Sequence, residues 1–144
     1  MRKRKSAQRG ATIIEFAMVT LLLMIVILAG IEFDRMVLVY TALANSARAG
    51  VRYAIVHGSD RTGASGSDLA SGPGDKTAVI AKVRQFASAG MLDTLKLIVT
   101  VDYIPLDNKP GTLVKVAVLY KYDPFVVLPL GVKITSATQG YIVF

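Results

Sequence analysis

A single carboxylate, Glu15, lies near the start of an otherwise apolar stretch and has the clearest potential for chemistry. An ionisable group inside a membrane-spanning segment costs up to about 3 kcal/mol and usually has a partner. Arg9 is one candidate partner. The other would be created by proteolysis, because cleavage of the Gly10–Ala11 bond gives Ala11 an α-amine that is mostly protonated near pH 7. Glu15 would then lie one helical turn away and could neutralise that amine, or the amine of a neighbouring subunit.

The element that carries this carboxylate is long enough to cross a bilayer. Phe16–Ile31 contains Thr20 as its only polar side chain, and Ala11–Ile31 corresponds to about 31 Å of helix. A basic head precedes it, and Lys and Arg are retained on the cytoplasmic side, so the N-terminus is predicted to be cytoplasmic and the rest of the chain to lie outside. An ordinary signal anchor would have the same features. Residues 27–29 lack the small-x-small pattern of a general signal peptidase site.

Charge and cysteine content narrow the function classes. The net charge is +7, but five of the seventeen Lys and Arg residues lie within residues 1–10, where there is no Asp or Glu. Residues 11–144 therefore carry only +2, and without aromatic interleaving the basic residues do not predict nucleic-acid binding. Cys is absent, which excludes disulfides and thiolate metal sites.

The remaining polar residues do not form a catalytic or metal-binding pattern. His57 is the only histidine, and because no nucleophile is placed to work with it, a role at a helix end or in a loop is favoured. Asp60, Asp68 and Asp75 lie in a Gly- and Ser-rich stretch, residues 57–75, but they lack the regular spacing of a calcium loop. We therefore expect a non-enzymatic protein without cofactor or metal ion.

Residues 32–56 predict that the helix continues beyond the membrane. A three-to-four spacing is followed by Leu38, Ala42, Asn45, Ala49 and Arg52 or Tyr53. This gives the helix a thin face, which could pack on the chain's own sheet or on a second helix. The arginines of this segment, Arg35, Arg48 and Arg52, are assigned to its solvated face.

A second helix and a small antiparallel sheet are predicted for the rest of the chain. The helix is Lys76–Ala89, with Asp75 as N-cap, Gly90 at its end and an apolar face of Val79, Ile80, Val83, Phe86 and Ala87. The strands are Leu95–Tyr103, Leu113–Tyr122 and Val132 to about Phe144. One turn is predicted at 107–111 and another between 123–124 and 129–131, with a bulge or bend at Gly140. Tyr120, Tyr122 and Phe125 are interpreted as aromatic packing under a helix.

The basic head, Gly10, four residues and then Glu15-Phe16 resemble the class III signal of type IV prepilins, especially the tight-adherence (Tad/Flp) group. The segments 9–17, 30–35 and 42–54 resemble the TadE-like pseudopilins, and residues 122–125 and 134–138 do so more weakly. The Glu-Phe pair departs from the Glu-Tyr of short Flp pilins, and Ala11 departs from the Phe that begins many type IV pilins. These departures favour a TadE-like subunit.

The resemblance implies a pilin-like α+β fold, with a long N-terminal transmembrane and stalk helix plus a second helix packed on a small antiparallel sheet of about three strands. It divides the chain into a basic leader (1–10), a transmembrane and assembly helix (11–31), a helix continuation (32–56) and a globular head (57–144).

In function, the resemblance implies cleavage between Gly10 and Ala11 by a membrane aspartic prepilin peptidase, and assembly through Glu15, Phe16 and the apolar helix. The expected partners are copies of this chain or other pilins, the peptidase, the inner-membrane assembly platform and, before assembly, membrane lipid; no nucleic acid is expected. The product would be an extracellular pilus used for surface adhesion, with this chain as a principal or a minor subunit. The alternative is an uncleaved, single-pass accessory protein of the bacterial inner membrane that holds a partner on its C-terminal sheet.

Overall fold

The structure, a computed structural model, describes residues 4–59, 71–125 and 131–143, with side chains from residue 10 onward. Its elements in chain order are helix α1 (Arg4–Val56), helix α2 (Thr77–Ala89), a 3₁₀ turn (Thr94–Lys96), and strands β1 (Leu97–Ile104), β2 (Leu113–Tyr122) and β3 (Val132–Tyr141). The predicted α+β class, with a long N-terminal helix, a second helix and a three-stranded antiparallel sheet, is confirmed.

Helix α1 dominates the molecule. Its 53 residues extend over about 80 Å. The sequence contains no proline before Pro73, so nothing in this stretch removes a helical backbone donor. Residues 10–31 are all exposed, whereas the second half of the helix packs against the head. The predicted continuation of one helix from the apolar segment to residue 56 is confirmed.

The sheet has the order β1-β2-β3, and all strands are antiparallel. β2 and β3 keep one register from Leu113↔Tyr141 to Tyr122↔Val132, and Gly140 pairs with Val114 inside it. The predicted bulge at Gly140 is therefore wrong. A Cβ at this position would lie 2.6 Å from Cδ1 of Ile55, so the glycine allows α1 to approach the strand closely.

Both helices cover one face of the sheet. The buried residues of α1 are Leu43, Ser46, Ala47, Gly50, Val51 and Ala54, one position away from the predicted face. Leu38, assigned to that face, is 68% exposed. Because small residues surround the helix in this segment, its apolar face is ambiguous in sequence, and the orientation that buries Leu43 and Val51 removes more apolar surface from water.

Helix α2 packs against α1 through Val79, Val83 and Ala87, which are fully buried. Phe86 does not belong to this face, because it is 52% exposed. Lys76 occupies the N-cap position without a capping side chain. Asp75, the predicted cap, still accepts a hydrogen bond from the backbone N–H of Thr77 at 2.9 Å, which lies within the usual uncertainty of a helix boundary.

β1 begins at Leu97, two residues later than predicted. The Asp93 carboxylate accepts a hydrogen bond from the Leu95 N–H at 2.9 Å and starts the 3₁₀ turn, which leaves Leu95 93% exposed instead of inside the sheet. From Leu97 onward the predicted alternation is confirmed in β1, and in β2 the face of Val114, Val116 and Val118 is buried as predicted.

Several sequence predictions lie outside the described residues: those for Asp60, Asp68, the turn residues Pro129 and Leu130, and Phe144.

Candidate functional site

The first candidate site is the apolar part of α1, which projects from the head. Its large side chains are exposed on every side of the helix, for example Ile14 at 65%, Phe16 at 71% and Leu22 at 67%. The helix from Gly10 to Val56 is long and apolar enough to cross a membrane, with a mean hydropathy of 2.6 over its most apolar window, none of which is buried inside the molecule. Such a surface requires lipid or other apolar helices around it.

The predicted cleavage site lies within the continuous helix. Gly10 and Ala11 are both exposed, and a Cβ built on Gly10 would meet nothing within 4 Å. The fold of this chain therefore does not require glycine at position 10. Glycine weakens a helix by about 1 kcal/mol relative to alanine, so it also makes the backbone easier to unwind at this bond.

Glu15 and Phe16 lie next to each other in sequence, both exposed, on the same projecting segment. Glu15 is four residues beyond Ala11, which corresponds to an axial rise of about 6 Å. No ion pair joins Glu15 to another residue of the described part of the chain. Its carboxylate is thus placed beside the position at which cleavage would create an amine.

A second cluster, the neck, forms where α1 meets the head, and consists of Glu32, Arg35, Tyr122 and Phe125. The Tyr122 hydroxyl donates a hydrogen bond to Oε1 of Glu32. The Phe125 N–H lies 3.3 Å from each oxygen of this carboxylate, and Nη1 of Arg35 lies 3.5 Å from Oε2. Glu32 therefore ties the first turn beyond the apolar segment to the end of β2.

The neck also stacks a cation over two aromatic rings. The Arg35 guanidinium lies 5.7 Å from the ring centroids of both Tyr122 and Phe125, within the range of a cation–π contact. Burial raises the pKa of Tyr122, and donation to the Glu32 carboxylate raises it further, so the hydroxyl stays protonated as a donor.

Sequence reasoning did not identify the neck. It assigned Arg35 to the solvated face and grouped Phe125 with the packed aromatics, but Phe125 is 85% exposed. Tyr122, only 2% exposed under α1, was interpreted correctly. A carboxylate directly after the apolar run was the available signal for Glu32, since a charge at that position needs a partner.

His57 lies immediately after α1, as expected for a helix-end residue. Its Nδ1 lies 2.8 Å from the carbonyl oxygen of Tyr53, and the two rings stack with centroids 3.8 Å apart. Within the described residues, no three His, Cys, Asp or Glu side chains come together to hold a metal ion.

Comparison with known proteins bears on the first site. The model of the family described as TadE-like protein matches residues 10–52, which confirms the resemblance predicted for this segment. The match includes Gly10, Glu15 and the neck residues of α1, and does not extend to residues 122–125 or 134–138. No curated protein and no solved structure matches the chain significantly.

Proposed function

We propose that this chain is a structural subunit of a Tad-type, type IV-like pilus: a TadE-like pilin or pseudopilin that is cleaved after Gly10 and assembled through α1. The observation that carries the proposal is the exposed apolar segment of α1, with Glu15 four residues beyond Ala11. The family match over residues 10–52 supports it.

The segment can exchange lipid for protein without losing its apolar environment. In the membrane its side chains contact acyl chains, and in a filament the same surface packs against neighbouring helices. Because lipid and helix surfaces are similarly apolar, close packing and polar contacts must favour the assembled form. An ion pair between Glu15 and the α-amine of a neighbouring subunit provides such a contact and offsets the cost of a charge among apolar side chains.

Processing is tested by replacing Gly10 with leucine and determining the N-terminus of the exported protein by mass spectrometry. The wild-type chain should begin at Ala11, and the Gly10→Leu variant should keep its leader. Gly30→Leu is the matched control, since Gly30 lies in the same helix, also with nothing within 4 Å of a built Cβ. Neither position has a neighbour within 4 Å of a built Cβ, so a block specific to position 10 reports recognition by the peptidase.

The alternative, an uncleaved anchored accessory protein, makes the opposite prediction. Wild-type material that retains the basic leader in the exported form would contradict cleavage, as would equal processing of the Gly10→Leu and Gly30→Leu variants.

The role of Glu15 is tested separately with Glu15→Gln, which keeps the shape of the side chain and removes its charge. We expect processing to continue and the amount of this chain in surface-sheared filaments to fall at least about tenfold, the effect of losing about 1.4 kcal/mol per subunit contact. Glu15→Asp keeps the charge and should retain part of the assembly. Normal incorporation of Glu15→Gln would show that no ion pair is needed.

A further inference from the structure

Phe125 lies beside the part of α1 where the apolar segment ends and the first charged residues follow. Together with Leu28, Ile31, Glu32 and Arg35 it lines a shallow, mostly apolar depression. Leu28 and Ile31 belong to the last turn of the apolar run Phe16–Ile31, which lies in the helix that is long and apolar enough to cross a membrane. A residue of the head, nearly a hundred positions later in the chain, is therefore placed beside the end of the span.

The position of Phe125 relative to α1 is fixed by its backbone. Its N–H bonds to the carboxylate of Glu32, at 3.3 Å from each oxygen, so the residue is held at this level of the helix. The ring itself is 85% exposed, and Ile31 beside it is 53% exposed. Because the backbone of Phe125 is held in place, its ring stays exposed. In water this exposure is unfavourable, since the apolar surface of the ring remains hydrated.

Basic side chains lie near the ring at the level where a bilayer interface presents phosphates, and the carboxylate two residues before the ring, Asp123, is ion-paired with Lys96 at 2.6 Å. The Arg35 guanidinium lies 5.7 Å from the ring centroid. Along the axis of α1, Arg35 lies seven residues, about 10 Å, beyond Leu28 in the direction of the head. Lys121 and Lys133 pair across β2 and β3 at the same end of the sheet, and both are exposed. Like charges directly opposite each other destabilise a strand pair, and lipid phosphates at this level would neutralise them.

We propose that the end of the head around Phe125 rests in the interface of the bilayer that α1 spans, before assembly. The ring lies at the boundary of the acyl chains, as aromatic side chains commonly do, and the basic side chains of the head lie among the phosphates. Lipid is the occupant because any chain whose α1 spans a bilayer has lipid around residues 28–31, directly beside the ring. This inference rests on α1 as a membrane span and is independent of cleavage and filament assembly.

The chain contains no tryptophan, so Phe125→Trp gives the full-length protein a single tryptophan whose fluorescence can be excited separately from that of the tyrosines. The variant is reconstituted into phosphatidylcholine vesicles containing lipids brominated on acyl carbons near the headgroup, at a protein-to-lipid ratio low enough for most vesicles to hold one chain. Tyr141→Trp is the matched control, since Tyr141 is also an exposed aromatic residue, 65% exposed, at the opposite end of β3.

We expect brominated lipid to quench the fluorescence of Phe125→Trp at least about twofold and to leave that of Tyr141→Trp nearly unchanged. Equal quenching of the two variants, or quenching of neither, would overturn the proposal. If the Phe125→Trp tryptophan is removed from water only when the protein-to-lipid ratio is raised, as read from its emission wavelength, a second copy of the chain covers this surface. That result would also overturn the proposal.

A second probe does not depend on tryptophan. Because the chain has no cysteine, Phe125→Cys can carry a single nitroxide label. At the interface, collisions with apolar oxygen should increase and collisions with a water-soluble nickel complex should decrease, relative to Tyr141→Cys. The same collision rates at both positions would place Phe125 in water and refute the inference.

Discussion

Gly50 is a point of very close approach between α1 and α2, and replacing it with alanine is expected to destabilise the head. A Cβ at this position would lie 2.4 Å from Cγ2 of Val83, with Cγ1 of Val116 at 3.5 Å and Cγ1 of Val79 at 3.6 Å. All three valines are fully buried. Val83 therefore cannot turn outward into solvent, and the two helices must separate to admit the methyl group.

The size of the effect follows from two opposing terms. Overpacking a buried site costs about 1–3 kcal/mol, and the fully enclosed Val83 places Gly50→Ala in the upper half of that range. The alanine regains about 1 kcal/mol of helix propensity. The net loss is therefore about 1–2 kcal/mol, which corresponds to a factor of about 5–30 in the population of the unfolded head.

The assay is hydrogen exchange of the β2 amides in the full-length chain in detergent micelles, because their slowest exchange reports opening of the head. Exchange in Gly50→Ala should be about 5–30 times faster than in the wild type. Val83→Ala alone should cost about 2 kcal/mol, from two lost methyl groups.

In the double variant, Val83→Ala removes the methyl group that blocks the alanine at position 50. The double variant should therefore lose less stability than the sum of the two single variants, by about 1–2 kcal/mol. Costs that add to within about 0.5 kcal/mol would refute the reasoning, since distant, independent sites behave in that way.

Three further predictions concern the neck and the head. Tyr122→Phe removes the hydroxyl that donates to Glu32, so amide exchange in the first turns of α1 beyond the apolar segment should accelerate while exchange in β2 changes little. The hydrogen bonds from Thr77 hold the pKa of Asp75 below its usual value, so the stability they contribute is present above about pH 4 and is lost as the pH falls further. The difference in stability between wild type and Asp75→Asn should therefore be constant between about pH 7 and pH 5 and should narrow as the pH falls below about 4. Leu95→Ser should change the free energy of unfolding by less than about 0.5 kcal/mol, because Leu95 is 93% exposed, whereas a large loss would place it back in the strand.

The elements of the head were predictable where periodicity and burial coincide. In β2 the alternation of valines with Lys115 and Lys121 identifies both the strand and its buried face, since a half-buried strand has a period of two. The prediction failed at Leu95, where the Asp93 side chain starts a 3₁₀ turn and ends the alternation. An apolar residue inside an alternating run gives no sign of such a local hydrogen bond.

The buried face of α1 and the neck could not be read from local patterns. In the segment 42–54 several faces are formed by small residues, so their hydrophobicity differs little, and contact with the sheet determines which face is buried. The hydrogen bond between Glu32 and Tyr122 joins residues 90 positions apart. Sequence alone indicated that each side chain needs a partner, and only the packing of α1 along β2 brings the two together.

Two glutamates at opposite ends of the apolar segment therefore have different partners. Glu15 and Glu32 are separated by about 26 Å of helix. Both oxygens of Glu32 accept hydrogen bonds within the chain, whereas among the described residues Glu15 forms no ion pair. Because α1 is continuous between them, the carboxylate of Glu32 fixes the head to the helix. Under the proposed function, the carboxylate of Glu15 pairs instead with the α-amine that cleavage creates on its own or on a neighbouring chain.

This separation predicts two independent phenotypes. A charge-removing change at Glu15 should reduce assembly and leave hydrogen exchange of the head as in the wild type, because no described contact connects Glu15 to the sheet. The matching change, Glu32→Gln, should accelerate exchange at the neck and leave the proposed removal of the leader intact, since the proposed cleavage site lies more than twenty residues away along the same helix. If a Glu15 variant altered exchange in β2, or if Glu32→Gln blocked processing, the two carboxylates would be coupled through α1 and the separation proposed for them would be wrong.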